Sequence, residues 1–343
     1  MERNNENTEG VPKKGTGFWE RSKQRMQDEY GQEKLSREAF YDALKELVTE
    51  ALGVGYQVER MPVRKNNGVW RETLLIRAED RDCAPSFYLE EMYCSYCMGQ
   101  PVEALAEHIA ETVRREYSDR VGEMSHILKK EWFEERLFLR LVHFEKNRKA
   151  LEHAVYVKVQ DLAAVFYVLT ERDADGLKSF CLPRYAWEQA ELGTAEAYYD
   201  TILKNTERLF PPKIMRIEEG LLWCMEQEGE EAAEWLKREL EEMIRENRKP
   251  LFYVLTNTDK INGAAVILYE GLLKTLADRF ESGFWVIPSS VHEVLLLLTT
   301  EETEETLNRM IREVNKTQLE PEDVLSDHVY YYAKERGFGS REK

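Results

Sequence analysis

The sequence predicts an α+β fold, with helices packed on mixed or antiparallel sheets in two to three modules. Three observations favour this class. Strand-like apolar runs and helix-like segments both occur, but no regular strand–helix–strand period joins them. The dipeptide Asn67-Gly68, which is typical of a tight hairpin turn, lies between two strand-like runs. The chain has 343 residues, which is long for a single domain.

The first module, predicted at 36–135, follows a polar leader at residues 1–35. Its first helix begins after Ser36, whose side chain suits a helix N-cap, and ends before Gly53. Pro101 opens a second helix, and a charged helical connector completes the module. The strands between the helices are predicted at 56–64, 69–77 and 86–89.

The middle segment, 136–212, is predicted to hold strands and then two helices, with Thr194 capping the second helix. An acidic helical connector at 213–250 leads to the C-terminal α+β module at 251–334 and a tail at 335–343. The last helix of that module begins after Thr303. The strands are predicted at 137–143, 154–159, 162–169, 177–182, 251–255, 264–268, 284–287 and 293–298.

The net charge of −17 makes the surface acidic. Because such a surface repels phosphates, nucleic acid and anionic membranes are not expected partners. A small basic patch could still occur on a surface whose overall charge is negative. Between positions 217 and 247, 11 glutamates stand against 3 lysines or arginines, a pattern that indicates the solvated face of a helix. No segment approaches the roughly 18 consecutive apolar residues that span a bilayer.

Five cysteines form an odd, scattered set, which favours reduced thiols and a cytoplasmic location. Cys94 and Cys97 have the spacing of a redox pair or half a zinc site, but the chain lacks a second cysteine pair. We expect both thiols to fill an aromatic-rich region. No cofactor is predicted.

Several stretches carry a resemblance to a known family, for example FWVIPSSVHEVLLL and EVNKTQLEPEDVLSDHVYYY. In these stretches the chain resembles the bacterial domain-of-unknown-function 5688 family, over about residues 36–334. The stretch 253–298 more loosely resembles the C-terminal part of another family of unknown function, numbered 1444. Neither resemblance implies a reaction or a catalytic residue.

The segment Ser289-Ser290-Val291-His292-Glu293 contains the residue types of an acyl-transfer or acid–base site. Two serines could supply a nucleophile, while His292 and Glu293 could move protons. Residues this close in sequence need not form a relay, because a nucleophile and its base usually meet across the fold. The same residues are also typical of a turn that is capped by a serine, with a histidine at the edge of a strand.

Two further pairs are candidates for ligand binding. Asn257 and Asn262 lie in a loop after a predicted strand, where sites are often placed, although turn chemistry is the favoured explanation for these residues. Asp327 and His328 could meet His292 in space. His292-Glu293 lacks the second histidine of a zinc helix motif, because position 296 is leucine, so no metal site is predicted.

The sequence favours a non-catalytic binding or scaffold protein, with a protein partner as one possibility. The alternative is a hydrolase-like enzyme that uses Ser289 or Ser290, His292 and Glu293. The consecutive rings Tyr330, Tyr331 and Tyr332 cannot all face one core from a strand, since side chains alternate between its faces. At least one ring is therefore expected to be exposed or to meet a partner.

Overall fold

The computed structural model describes residues 34–78, 84–118, 134–173, 176–190, 192–228, 234–246, 252–298, 302–335 and 337–339. The predicted leader lies outside these residues except for Lys34 and Leu35. The predicted charged connector lies outside them between residues 119 and 133.

Helices and strands both occur throughout the described chain, which confirms the α+β class. The helices are α1 (Arg37–Leu52), α2 (Leu89–Cys97), α3 (Val102–Ser118), α4 (Arg148–Leu151), α5 (Arg184–Gln189), α6 (Ala195–Leu209), α7 (Ile217–Glu228), α8 (Glu234–Arg245), α9 (Leu272–Phe280) and α10 (Glu304–Thr317). The strands are β1 (Tyr56–Arg64), β2 (Trp70–Ala78), β3 (Ser86–Tyr88), β4 (Leu137–His143), β5 (Tyr156–Val159), β6 (Leu162–Asp173), β7 (Gly176–Cys181), β8 (Pro212–Arg216), β9 (Phe252–Asn257), β10 (Phe284–Ile287), β11 (Val294–Leu297), β12 (Tyr330–Ala333) and β13 (Gly337–Gly339).

The first sheet has the order β1-β2-β3 and is antiparallel. Ser36 caps α1 as predicted, its hydroxyl accepting a hydrogen bond from the Ala39 N–H at 3.3 Å. The hairpin turn Asn66–Gly68 places Asn67 at a φ of 57°, a left-handed conformation that asparagine tolerates. Helices α1 and α2 pack on this sheet and α3 packs on α1, so that the three helices and the sheet form a separate hydrophobic core.

The middle sheet has the order β4-β6-β5, with β7 also paired to β6, and the third sheet has the order β13-β12-β10-β11-β9-β8. All the described strand pairs are antiparallel. The largest hydrophobic core contains inward-facing side chains from both sheets, including Leu139, Phe166 and Phe284.

Both faces of the third sheet are covered, which changes the expectation for the three consecutive tyrosines. Tyr330 and Tyr332 pack into the core shared with the middle sheet. Tyr331 points to the opposite face, where it lies 5.0 Å from the Trp285 ring in a cluster that α10 completes. The three side chains alternate between the faces of the strand, as predicted. The described residues cover both faces, so none of the three rings is fully exposed.

Several elements differ between the prediction and the structure. The predicted strand 264–268 is a tight 3-10 helix, Gly263–Leu268, because a short, fully buried apolar run has no period that separates strand from helix. Helix α2 was not predicted, since its aromatic residues favour strands in general. The predicted acidic connector begins with strand β8 before its helices, and Pro212 is tolerated as its first residue at the sheet edge.

Within the described part of the chain, no helix combines the length and the apolar character that crossing a bilayer requires.

Candidate functional site

The predicted catalytic segment forms the turn between β10 and β11. The hydroxyl of Ser290 donates a hydrogen bond to Glu293 Oε1 at 2.8 Å and accepts one from the His292 N–H at 2.9 Å. The Ser290 N–H donates to the Glu293 carbonyl at 3.1 Å. Ser290 is only 4% exposed, whereas Ser289 is partly buried and its N–H donates to the Ile287 carbonyl. Ser290 and Glu293 therefore close the turn on itself.

The imidazole of His292 connects two other loops. Its Nδ1 accepts a hydrogen bond from the Asn262 N–H at 3.2 Å, and its Nε2 lies 3.4 Å from Asp323 Oδ1. The His292 carbonyl accepts a hydrogen bond from Thr256 Oγ1 at 2.7 Å. Because Nδ1 acts as an acceptor, the proton of the neutral ring lies on Nε2, where it faces the Asp323 carboxylate.

The loop from Asn257 to Gly263 packs directly against His292. Asn257 is 3% exposed; its Nδ2 donates to the Ile261 carbonyl at 2.9 Å, while its buried Oδ1 accepts no hydrogen bond from the described residues. Asn262 has a φ of 53°, in the left-handed region. A Cβ atom at Gly263 would lie 2.5 Å from the His292 carbonyl oxygen, so only glycine fits there. Asn262 and His292, which were both predicted as candidate site residues, are thus in direct contact in the structure.

Asp327 and His328 contact a different part of the protein. Asp327 accepts a hydrogen bond from Asn315 Nδ2 at 2.8 Å and lies 3.4 Å from Lys146 Nζ. His328 is exposed, and its N–H donates to the hydroxyl of Ser326 at 3.0 Å. Among the described residues, no group of three or more histidine, cysteine, aspartate or glutamate side chains is arranged to hold a metal ion.

Asp161 lies at the centre of a buried network that was not predicted. It occupies the β5–β6 turn, where its carboxylate accepts hydrogen bonds from Ser326 Oγ and Tyr330 Oη, each at 2.6 Å. Burial and the neighbouring Asp161 charge raise the pKa of Tyr330 well above its usual value. In sequence, Asp161 looks like an ordinary hairpin-turn residue, and we find no sequence pattern that pairs it with Ser326.

The tip of the first hairpin makes a third set of contacts. Asn67 Nδ2 donates to the carbonyls of Pro321 and Val324 at 2.8 and 2.7 Å. Asn67 also exchanges two hydrogen bonds with the side chain of Asn147, at 2.8 and 2.9 Å. The neighbouring Asn66 Nδ2 donates to the Glu322 carbonyl at 2.6 Å. The Asn67-Gly68 dipeptide was predicted only as a turn.

Arg71, on β2, extends this contact into an ion-pair network. Its guanidinium lies 2.7 Å from Glu90, 3.1 Å from Glu320 and 3.0 Å from Glu322. Two of these carboxylates belong to the loop that precedes β12. Arg71 therefore joins the first sheet to that loop.

One segment, residues 320–330, contacts all three sheets. Its N-terminal part contacts the first hairpin, and Asp323 contacts His292 of the third sheet. Ser326 and Tyr330 bind Asp161 of the middle sheet. The Asp323 carbonyl also accepts a hydrogen bond from the Val291 N–H in the turn between β10 and β11, at 2.9 Å. We call residues 320–330 the clasp, because they are hydrogen-bonded to parts of all three sheets.

The cysteines show no reactive arrangement among the described residues. Cys97 lies at the end of α2 beside Tyr93, in the aromatic-rich region where filler was expected. Burial raises the pKa of the Cys181 thiol to about 11, against an opposing effect of Arg140. A thiol with so high a pKa is a poor nucleophile at neutral pH.

An open cleft of about 430 Å³ lies on the middle segment, away from the predicted sites. Its lining includes His153, Pro183, Tyr185 and Glu188. Tyr185 is 62% exposed, which is high for so large a ring. The cleft therefore offers an aromatic side chain to solvent beside acidic residues.

Comparisons with known proteins give one match. Residues 37–334 match the family described as a family of unknown function, DUF5688. No curated protein and no solved structure matches the chain. The looser resemblance of 253–298 to the family numbered 1444 stays a prediction.

Proposed function

Since the chain belongs to the DUF5688 family, whose function is unknown, we propose from its own contacts that it is a non-catalytic binding or scaffold protein. One observation carries this proposal. The side chains that could act in chemistry, above all His292, Ser290 and Asp161, are hydrogen-bonded to other parts of the chain. These hydrogen bonds support a structural role, in which the side chains hold different parts of the chain in fixed positions.

The state of His292 supports this proposal in detail. A serine nucleophile needs a base with a free lone pair in hydrogen-bond reach of its hydroxyl. The Nδ1 lone pair of His292 accepts the Asn262 N–H, and its Nε2 faces Asp323. The Ser290 hydroxyl proton points to Glu293 instead. This geometry favours a structural role for Ser290, His292 and Glu293, three of the four predicted catalytic candidates.

Exposed aromatic side chains support a binding role. Trp70 and Tyr185 are 64% and 62% exposed, and large aromatic residues are enriched where proteins meet partners. Asn257 and Asn262 remain ligand-binding candidates, because the buried Oδ1 of Asn257 lacks a hydrogen-bond donor among the described residues. Asp327 and His328 are weaker candidates, since Asp327 already has two partners.

A hydrolase-like activity is the second candidate, favoured by one contact. The 3.4 Å approach of Asp323 to His292 Nε2 resembles the pairing of a carboxylate with a catalytic histidine. In this alternative Ser289 would be the better nucleophile, because its hydroxyl makes no hydrogen bond to a described residue and Ser290 is held by Glu293. The His292 imidazole would first have to break its hydrogen bond with the Asn262 N–H or its contact with Asp323.

Covalent labelling distinguishes the two candidates. A fluorophosphonate probe reacts with activated serines, so we would incubate it with the wild type and the Ser289→Ala, Ser290→Ala and His292→Ala variants. The non-catalytic role predicts no His292-dependent labelling of either serine. Labelling of Ser289 or Ser290 in the wild type that disappears in His292→Ala would contradict it.

We also infer a cytoplasmic location in a bacterium. The odd, scattered cysteines favour a reducing compartment, and the family resemblance is to bacterial sequences. Fractionation of the native host with an antibody to the protein tests this inference. Recovery from the medium or the envelope would contradict it.

A further inference from the structure

The open cleft on the middle segment lies between the end of α4 and the start of α5. Glu152 and His153, which follow α4, form one wall, and the first residues of α5 form the other. The Arg184 N–H donates to the His153 carbonyl at 2.8 Å, and Ala154 pairs with Pro183 in a β-bridge. Because backbone hydrogen bonds join the two walls, the cleft is a fixed feature of the fold.

Tyr185 lines this cleft and is kept at the surface by its neighbours in α5. Ala186 and Trp187 are 6% and 5% exposed and belong to the largest hydrophobic core, whereas Tyr185 is 62% exposed. The indole N–H of Trp187 also donates to the Gly193 carbonyl at 2.8 Å. The buried side of α5 therefore fixes the helix, and the Tyr185 ring has no stacking partner among the described residues.

Two carboxylates line the same cleft. Neither Glu152 nor Glu188 forms an ion pair with a residue of the described chain. Arg184 is the one lysine or arginine in the described lining, and its guanidinium donates to the Ala154 carbonyl at 3.1 Å. Tyr185 and Glu188 are three residues apart on α5, a spacing that brings side chains to the same side of a helix. The lining thus combines an exposed ring with two carboxylates that have no counter-ion.

This combination suits an organic cation. The face of an aromatic ring attracts an ammonium group, and a carboxylate beside it forms charge-assisted hydrogen bonds with the N–H donors. Pro183 and the Tyr185 ring offer apolar surface to a short alkyl chain. The net charge of −17 attracts cations to the surface in general.

The size and the ligand set of the cleft narrow the choice of cation. Its volume of about 430 Å³ lies within the range of small-molecule sites. A metal ion is disfavoured, because no group of three or more histidine, cysteine, aspartate or glutamate side chains in the described part of the chain is arranged to hold one. A small molecule with an ammonium group on an alkyl chain fits both observations.

We propose that this cleft binds the alkylammonium group of a small molecule, with the Tyr185 ring against the cation and Glu152 and Glu188 as its counter-charges. This inference rests on the proposed binding function and names the chemistry of one ligand. Because the cleft is open and its carboxylates are exposed, each contact contributes modestly and binding weakens as the salt concentration rises.

The probe for the test is n-butylammonium, and n-butanol is its uncharged counterpart with the same alkyl chain. Saturation-transfer NMR titrations would give the affinity of each probe for the wild type, Tyr185→Leu and Glu188→Gln. Tyr185→Phe is the control that keeps the ring. Glu239→Gln makes the same change in net charge on the exposed face of α8, outside the cleft. All these positions are exposed, so the variants should fold, which their melting temperatures would verify.

The wild type and both controls are expected to bind butylammonium with equal affinity, and butanol about three- to tenfold more weakly. Tyr185→Leu and Glu188→Gln should each lower the affinity for butylammonium about two- to fivefold. Absence of saturation transfer from the wild type would overturn the site. Equal affinity of the two probes, or equal affinity of the wild type and both cleft variants, would overturn it as well.

A lysine side chain carries the same alkylammonium group, so a short uncharged peptide with one central lysine is titrated in parallel. If the ligand is a small molecule, butylammonium should bind at least as tightly as the peptide. Tighter binding of the peptide would overturn the assignment of a small molecule, because the cleft would then recognise the backbone on both sides of a lysine.

The two proposals fail separately. Failure of butylammonium to bind the cleft, without His292-dependent labelling, would remove the cation site and leave the non-catalytic role. His292-dependent labelling would remove that role whatever the cleft binds.

Discussion

At the residue scale, the polar side chains near the third sheet each contact more than one stretch of the chain. His292 receives a hydrogen bond from Asn262 and faces Asp323, while its carbonyl accepts one from Thr256. A hydrogen bond contributes modestly to stability when it forms, but a buried group that loses its partner is costly. Such residues are therefore expected to matter for folding more than for chemistry.

Replacement of His292 by alanine is expected to lower the free energy of unfolding by about 1–2 kcal/mol, because the Asn262 N–H loses its acceptor and the contact to Asp323 disappears. Urea denaturation measures the change. His108→Ala is the matched control, since His108 is exposed on α3, and it should change stability by less than about 0.5 kcal/mol. Equal stability of His292→Ala and wild type would contradict the structural role.

Asp327 provides a test of pH dependence. Burial favours its neutral form, but the hydrogen bond from Asn315 and the charge of Lys146 outweigh burial and hold the pKa of Asp327 below its usual value. A carboxyl group with a lowered folded-state pKa stabilises the fold above its unfolded pKa, about 3.9. This contribution is lost as the pH falls through the lower folded-state pKa.

The Asp327→Asn variant should therefore be less stable than wild type at pH 7, by about 0.5–1 kcal/mol for a partly exposed pair. The difference should shrink as the pH falls below about 4. Urea denaturation at several pH values measures it. A difference that stays constant down to strongly acidic pH would contradict the assigned charge state.

At the element scale, the first hairpin acts as a docking element through its turn. The left-handed Asn67 both closes the turn and binds the carbonyls of Pro321 and Val324. Its hydrogen bonds with Asn147 link the same turn to the middle segment. Asn67, whose left-handed backbone conformation closes the turn, thus also joins the first hairpin to Asn147 and to the clasp.

Substitution of Asn67 separates these two roles. Asn67→Gly keeps the left-handed conformation but loses the side-chain hydrogen bonds, so we expect it to lower stability by about 1–3 kcal/mol. Asn67→Ala should cost a further 1 kcal/mol or so, because alanine disfavours positive φ. Urea denaturation of both variants measures the two steps. Wild-type stability of Asn67→Gly would show that the side-chain contacts are unimportant.

Elements with a clear local pattern could be predicted from the sequence, and those set by burial could not. The strand Phe284–Ile287 and the Ser36 and Thr303 caps agree with prediction because strand-forming residues and capping hydroxyls act locally. The buried run Gly263–Leu268 was predicted as a strand, since its apolar residues carry no period. Its 3-10 conformation depends on packing across the fold.

At the scale of the whole molecule, the clasp holds the three sheets in one arrangement. Its hydrogen bonds reach Asn67 in the first hairpin, Asp161 in the middle sheet and the turn between β10 and β11, where the Val291 N–H donates to the Asp323 carbonyl at 2.9 Å. The sequence suggested a cluster of His292, Asp327 and His328, but it could not show that Asp161 and Asn67 would meet the same segment. Contacts between residues far apart in sequence leave no local pattern. The predicted module boundaries stay predictions.

The buried tyrosines predict sensitivity to alkali. Burial raises the pKa values of Tyr41, Tyr269 and Tyr330 above their usual value near 10. The stability that these neutral phenols contribute is fully present below pH 10 and is lost as the pH rises above it, because only the unfolded chain releases the protons. Tyrosinate absorbance and circular dichroism should therefore change together in an alkaline titration. Ionisation of all tyrosines before any loss of structure would contradict the burial.

Hydrogen exchange in an Asp161→Ala variant tests the clasp most directly, because the substitution leaves the buried hydroxyls of Ser326 and Tyr330 without their acceptor. If the clasp joins the sheets, amides of β4 and β6 in the middle sheet and of β10 and β12 in the third sheet should lose protection together. Faster exchange confined to the β5–β6 turn, with β10 and β12 as protected as in wild type, would contradict the account.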